Sequence, residues 1–300
     1  MKVIPVTPRG YCQGVVRAIR IARETAEQYH DQPIYMLGMI VHNRFVVEEC
    51  RKLGIRCLED KTKTRLELLD EIDSGIVIFT AHGVSDAVRR RAEEKGLTAI
   101  DATCPDVLKT HELIRKHAEC GDVIYIGKKG HPEAEGALGL SDRVHLVSGP
   151  DDIDRLGELE NILITNQTTL SILDTQKTLD ACLQRFPGAV SAPEICNATE
   201  IRQRAVMNLT DTDVLIVVGD PNSNNTNQLK QIGINAGISR VYMIETCRDL
   251  REEMIKDAGT IAVTAGSSTP TILTSQVISF LNHYAETGDF TLPDLPEHVF

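Results

Sequence analysis

Short uninterrupted apolar runs recur along the chain, at KVIPV (2–6), IVIFT (76–80), DVIYIG (122–127), NILIT (161–165), DVLIVVG (213–219), RVYMI (240–244) and TIAVT (260–264). Each gives way to a polar loop or turn. Continuous runs rich in Val and Ile predict strands buried on both faces, because a strand with one wet face alternates instead. Between them, CQGVVRAIRIARETAEQ (12–28), CPDVLKTHELIRKHAE (104–119) and CNATEIRQRAVMNL (196–209) carry apolar residues at helical spacing. Strands alternating with helices predict an α/β fold with mainly parallel sheets, in which ligands meet the loops beyond the carboxyl ends of the strands.

Each of those three helical segments starts on a cysteine. In IDATCP (100–105) the end of a buried strand runs into a helix beginning at Pro105, so Cys104 falls at the N-cap, facing unpaired amides and the positive end of the helix dipole. Such a thiol is either a small apolar filler or a group with a lowered pKa. The spacing bears on the choice: Cys12, Cys104 and Cys196 lie 92 residues apart. About thirty residues after each comes one polar loop (His42, His131, Ser223), and further on a second (His82, Thr168, Ser268). Self-similarity of this kind predicts three units of one plan, with α/β domains at 1–103, 104–194 and 195–284 and a tail at 285–300.

Composition narrows the partners. A net charge of -11 over 300 residues disfavours nucleic acid and anionic membranes as partners, so an anionic ligand has to meet a local site. No run approaches the ~18 apolar residues of a membrane span, and the first residues lack the apolar core of a secretory leader, which predicts a cytoplasmic protein. Eight cysteines in a reducing compartment do not form a disulfide framework, and no CxxC pair is present. Cys50, Cys57, Cys120, Cys182 and Cys247 lack the helix-start placement and are expected to pack in the interior. The basic stretches at 89–91 and 115–117 read as solvated helix faces.

If three like domains pack about a pseudo-threefold axis with strand ends inward, three thiolates converge on it. Thiolates select zinc or an iron-sulfur cluster, and three of them leave one position open, as a catalytic metal requires. Four cysteines are usual for an electron-transfer [4Fe-4S] centre, so three suggest a cluster whose fourth iron can bind substrate. The surrounding loops supply His42, His82, His131, Ser223, Asn224, Asn225 and Ser268 together with helix-start amides, a set of neutral and cationic donors suited to phosphate. Glu133, two residues from His131, is a candidate for proton transfer, its pKa raised by nearby phosphate charge.

With PRGYCQGVVRAI, VHNRFVVEE, AHGVS, DATCPDV, GKKGHPEAEG, NQTTLS, EICNAT, DPNSNNTNQL and TAGSSTP in this order, the chain resembles the 4-hydroxy-3-methylbut-2-enyl diphosphate reductase family over essentially its whole length. The resemblance implies a trefoil of three α/β domains around one [4Fe-4S] cluster, with Cys12, Cys104 and Cys196 as ligands. It implies that His42, His82, His131, Ser223, Asn225 and Ser268 bind the diphosphate, that Glu133 donates a proton, and that Thr168 lies beside the reacting carbon. Asn224 stands where the family commonly has serine, and its amide can also donate to a phosphate oxygen. The implied reaction is reductive removal of the allylic hydroxyl, giving isopentenyl and dimethylallyl diphosphate, the last step of the non-mevalonate route. No GxGxxG opens a helix after a strand, so electrons are expected from a ferredoxin or flavodoxin.

Two other classes fit parts of the pattern. A quinolinate-synthase-like condensation also suits three cysteines, but a dicarboxylate favours arginine, and the loops hold only Arg44. A redox sensor with a labile cluster would show no turnover of an allylic diphosphate.

Overall fold

The computed structural model describes residues 1–60 and 62–299. β1 (Lys2–Pro5) is followed by α1 (Gln13–Gln28), β2 (Ile34–Leu37), α2 (Arg44–Lys52), β3 (Ile55–Leu58), α3 (Arg65–Asp70), β4 (Ile76–Phe79), α4 (Asp86–Glu94) and β5 (Thr98–Asp101). After Cys104 come α5 (Pro105–Ala118), β6 (Val123–Ile126), α6 (Pro132–Leu138), β7 (Val144–Val147), β8 (Leu163–Asn166), α7 (Ile172–Arg185) and β9 (Val190–Ser191). After Cys196 come α8 (Asn197–Met207), β10 (Val214–Val218), α9 (Asn224–Asn235), β11 (Arg240–Ile244), α10 (Glu252–Ile255), β12 (Thr260–Ala265) and α11 (Thr271–Thr287).

These strands form three four-stranded, fully parallel sheets of the same order: β3-β2-β4-β5, β7-β6-β8-β9 and β11-β10-β12-β1. The repeat thus reaches the level of topology. In the first two sheets the outer strand that pairs with β4 or β8 follows it in sequence. Among the described residues the third has no such strand after α11, and β1 fills the place, with Lys2–Pro5 in register with Thr260–Val263. The first strand therefore belongs with 214–265, whereas the repeat had placed it with 1–103.

The chain groups into two compact units. The first comprises Met1–Gln13, His42–Glu49 and the chain from Asn197 onward, and contains the sheet closed by β1. In β10 every residue is buried, and successive side chains enter different cores. Val214, Ile216 and Val218 pack with Phe280 and Leu281 on one face, while Leu215 and Val217 pack with Leu229 and Ile232 on the other. The segment after α11 joins this unit. Gly288 ends the helix in the left-handed conformation, Phe290 packs edge-on against Phe280 and Tyr284, and Arg248 pairs with Asp294.

The second unit comprises Gly14–Val41 and Cys50–Cys196, with the other two sheets. β4, β6 and β8 are buried throughout, as continuous apolar runs predict. The outer strands β3, β5 and β7 mix polar and apolar residues and are partly exposed, so the strand before Cys104, expected to be buried, instead lies at a sheet edge. Two surface expectations change here. Cys120 is exposed rather than packed, because the end of α5 leaves it at the surface with its thiol toward the His117 carbonyl. The basic stretches are ion-paired rather than merely solvated: Arg91 with Asp70, Arg89 with Asp101, and Arg115 with both oxygens of Asp86.

The aromatic contacts at 290 make a checkable statement about the C-terminal segment. Phe290→Ala removes two edge-on ring contacts of about 0.5–1.5 kcal/mol each beyond area burial. Limited proteolysis read by mass spectrometry should show faster cleavage confined to the residues beyond 288. Unchanged cleavage would mean the rings do not hold the segment.

Candidate active site

In every repeat the cysteine that opens a helix is tied by its own amide to the carbonyl of a loop that leaves a strand. Cys12 N–H donates to Ser267 O at 3.1 Å, Cys104 N–H to Ala81 O at 3.0 Å, and Cys196 N–H to Thr168 O at 3.1 Å. These loops follow β12, β4 and β8, and carry Ser268, His82 and Thr168. The three thiols are half-buried, whereas Cys50, Cys182 and Cys247 are buried. Desolvation pushes the Cys182 thiol up to about 11 and Cys247 up to about 12, which keeps both protonated and poor metal ligands. Among the described residues, no three His, Cys, Asp or Glu side chains gather as ligands of a single metal ion.

Within the first unit, the structure brings together His42, Ser223, Asn225 and Ser268. Ser268 Oγ lies 3.0 Å from the His42 carbonyl and 3.4 Å from Ser223 Oγ. Ser223 caps α9, its hydroxyl accepting from the Thr226 amide at 3.3 Å, and Asn224 begins the helix. Asn225 Nδ2 donates to Thr199 Oγ1 at 3.1 Å and Ser267 Oγ at 3.0 Å, leaving its Oδ1 buried with no partner among the described residues. Sequence reasoning passed over Thr199 and Ser267, although both lie inside motifs already singled out, CNAT and GSSTP. Asp220 fastens the His42 loop to this group by accepting from the Arg44 amide at 2.9 Å, and it orders its own turn through the Asn222 amide. The Arg44 guanidinium pairs with Glu245 at 2.6 Å and so is already neutralised, which removes the one loop arginine a dicarboxylate site would need.

Within the second unit, His82, His131, Glu133 and Thr168 come together. His131 caps α6 and Pro132 opens it, which turns Glu133 inward. His131 Nδ1 accepts from the Glu133 amide at 3.2 Å, so in the neutral ring the proton sits on Nε2. The His82 ring stands edge-on to His131 at 5.6 Å, with its Nδ1 3.3 Å from Thr80 Oγ1.

Glu133 is only 2% exposed, and its Oε1 accepts from the Thr168 amide at 2.7 Å. Burial raises its pKa from 4.5 to about 7, against the pull of hydrogen bonds from the Thr168 amide and hydroxyl. The upward direction agrees with the sequence reading, but the cause is desolvation by the protein itself, with no ligand charge required.

This shift carries a stability consequence whose sign is fixed. A carboxyl whose folded pKa lies above its unfolded value favours folding most while protonated, below 4.5, and that contribution is lost as pH rises through about 7. At about 1.4 kcal/mol per unit, the loss is on the order of 3 kcal/mol. Glu133→Gln should therefore gain stability relative to the unsubstituted chain as pH rises from 4.5 to 8 in denaturant titrations. A difference independent of pH would place the carboxyl at its ordinary pKa.

The model of the LytB protein family matches residues 3–282. The chain is 50% identical over 296 residues to the 4-hydroxy-3-methylbut-2-enyl diphosphate reductase of Bacillus cytotoxicus, covering 97% of this chain and 93% of that one. It is 49% identical over 296 residues to the protein of that name in Brevibacillus brevis, covering 97% and 94%. Among solved structures, the E-1-hydroxy-2-methyl-but-2-enyl-4-diphosphate reductase from Plasmodium falciparum superposes with a TM-score of 0.87 at 31% identity, covering 98% of this chain and 95% of that one. With a family model spanning all three cysteine motifs and a half-identical relative over nearly its whole length, the chain belongs to the LytB protein family.

Proposed function

We propose that the chain is a 4-hydroxy-3-methylbut-2-enyl diphosphate reductase, an oxidoreductase of the non-mevalonate isoprenoid route that converts this substrate to isopentenyl and dimethylallyl diphosphate. The carrying observation is 50% identity, over 97% of the chain, to a relative of that name. No helix among the described residues is long and apolar enough to cross a membrane, in keeping with a cytoplasmic enzyme served by a ferredoxin or flavodoxin.

The finer reading assigns Cys12, Cys104 and Cys196 to one [4Fe-4S] cluster. Three half-buried thiols at helix starts, each with its amide anchored, suit such a group. A cubane takes each thiolate on a different iron, so its ligands need not gather around one ion as in a mononuclear site. When bound, the cluster would relay two electrons, one at a time, from the external donor and would offer one iron with an open position.

The protein's own groups do the rest. Ser223, Asn224, Asn225, Ser268 and His42 hold the diphosphate at the start of α9, where amides and the helix dipole favour an anion. Asn225 has the side chain for this only after its amide turns over. Both present partners are hydroxyls, which donate as readily as they accept, so the turned amide keeps both bonds and frees Nδ2 for phosphate. His82 and His131 complete the donor set. Glu133, with a pKa of about 7, holds a proton at neutral pH that a normal carboxylate would have lost. Its partner Thr168 passes that proton toward the substrate by exchanging the direction of the hydrogen bond between them. With that proton the hydroxyl leaves as water, and a second proton, taken up by Glu133 from solvent, goes to either end of the reduced allyl group to give isopentenyl or dimethylallyl diphosphate.

Two experiments test this assignment. Replacing Cys12, Cys104 or Cys196 by serine should abolish stable iron and sulfide incorporation, while each of the other five replacements keeps it; wild-type iron content in any of the three removes that residue from the ligand set. Glu133→Gln should retain iron and substrate binding yet lose about 10²-fold or more in kcat. Near-normal single turnover of the reduced variant would assign the proton to another group.

A further inference from the structure

On the helix that follows each of the three cysteines, a basic side chain five or six residues on reaches the segment leading into a different one. Arg17 on α1 donates through Nη1 to the Thr103 carbonyl at 2.8 Å and through Nη2 to the Asp101 carbonyl at 3.5 Å, immediately before Cys104. Lys109 on α5 pairs at 2.8 Å with Glu194, two residues before Cys196. Arg202 on α8 donates through Nη2 to the Gly10 carbonyl at 2.7 Å, two residues before Cys12, and through Nη1 to the Ala198 carbonyl at 2.7 Å. The order closes on itself: the first helix serves the second cysteine, the second helix the third, and the third helix the first.

We propose that Arg17, Lys109 and Arg202 are positioning residues, each setting the geometry and accessibility of one thiol. Their use as cluster ligands rests on the reading above. These approach segments lie outside helices and strands or at a strand end; Arg17 and Arg202 fasten backbone carbonyls there, and Lys109 holds the side chain of Glu194, whose own amide donates to Asn166. Arg202 has the firmest hold. It is 3% exposed, and its target Gly10 has a φ of +72° and so close an approach to Thr271 that a Cβ would lie 2.8 Å from Oγ1. The loop before Cys12 is thus gripped from both sides. Arg17 is half-buried, while the Lys109 side chain is 68% exposed and its ion pair correspondingly weaker.

The test is site-resolved alkylation of all eight cysteines in the full-length anaerobic chain, before and after reconstitution with iron and sulfide. R202M should raise alkylation at Cys12 alone, R17M at Cys104 alone and K109M at Cys196 alone, in that order of size. For Arg202 the rise should be roughly tenfold, as loss of a charged hydrogen bond implies. R202K and R17K, which keep one donor, should restore most of the protection. The buried Cys182 and Cys247 report global loosening, and if R202M exposes them, R17M and the lysine variants carry the reading. A rise spread over all cysteines in those variants, or none at the paired one, overturns the proposal. Failure of the unsubstituted chain to take up iron overturns the cluster assignment separately, because the pairing of substitution with cysteine is read before iron is added.

Discussion

The amide of each helix-opening cysteine bonded to a carbonyl of the loop after β12, β4 or β8 is the constraint that places each thiol. That bond decides where a strand end and a helix start meet. It brings Cys12 beside Ser268, Cys104 beside His82 and Cys196 beside Thr168, so a half-buried thiol and a polar loop residue are delivered together by one backbone contact. A parallel sheet makes this repeatable, because all its strands discharge their loops at the same edge. The exchange of β1 into the last sheet serves the same end: without it Cys12 would have no strand leading to it and no neighbour at Ser267.

Much of this was legible in the chain. Continuous runs such as DVLIVVG and IVIFT are buried because helices cover both faces, and equal cysteine spacing revealed the repeat before any strand was placed. β3 and β7 were not legible, since outer strands with one covered side carry Arg and His among their apolar residues. The partner of β1 was hidden for a different reason: its pairing spans nearly the whole chain, and local pattern carries no information about contacts at that separation. Arg17 and Arg202 read as ordinary polar positions on amphipathic helices, although their recurrence after the cysteines could have been noticed. The burial of Cys50, Cys182 and Cys247 was foreseen; the exposure of Cys120 depended on where α5 ended, and helix ends are poorly marked in sequence.

The carboxyl of Glu133 shows how local chemistry is set by packing. Two donors from Thr168 would by themselves hold it low, and its desolvation outweighs them. Asp106 adds a smaller upward push, and the balance leaves the carboxyl at about 7 independently of any ligand charge. In the proposed reaction the proton passes through Thr168, whose amide is bonded to Glu133 and whose carbonyl receives the Cys196 amide. One residue therefore links the position of a thiol to the direction of a proton.

The proposed anion site follows a different logic. The chain carries a net charge of -11, yet His42, Ser223, Asn224, Asn225 and Ser268 include no arginine or lysine, and the nearby Arg44 is spent on Glu245. Neutral donors at a helix start bind a diphosphate by many moderate hydrogen bonds rather than by a few strong ion pairs. Substrate and product of a reductive dehydroxylation carry the same diphosphate. A clamp of permanent cations would hold both with equal strength and slow the exit of product, whereas hydroxyls and amides that also bond one another can close the ring again when the anion leaves. The 3.4 Å approach of Ser268 to Ser223 and the two hydroxyl partners of Asn225 are such bonds.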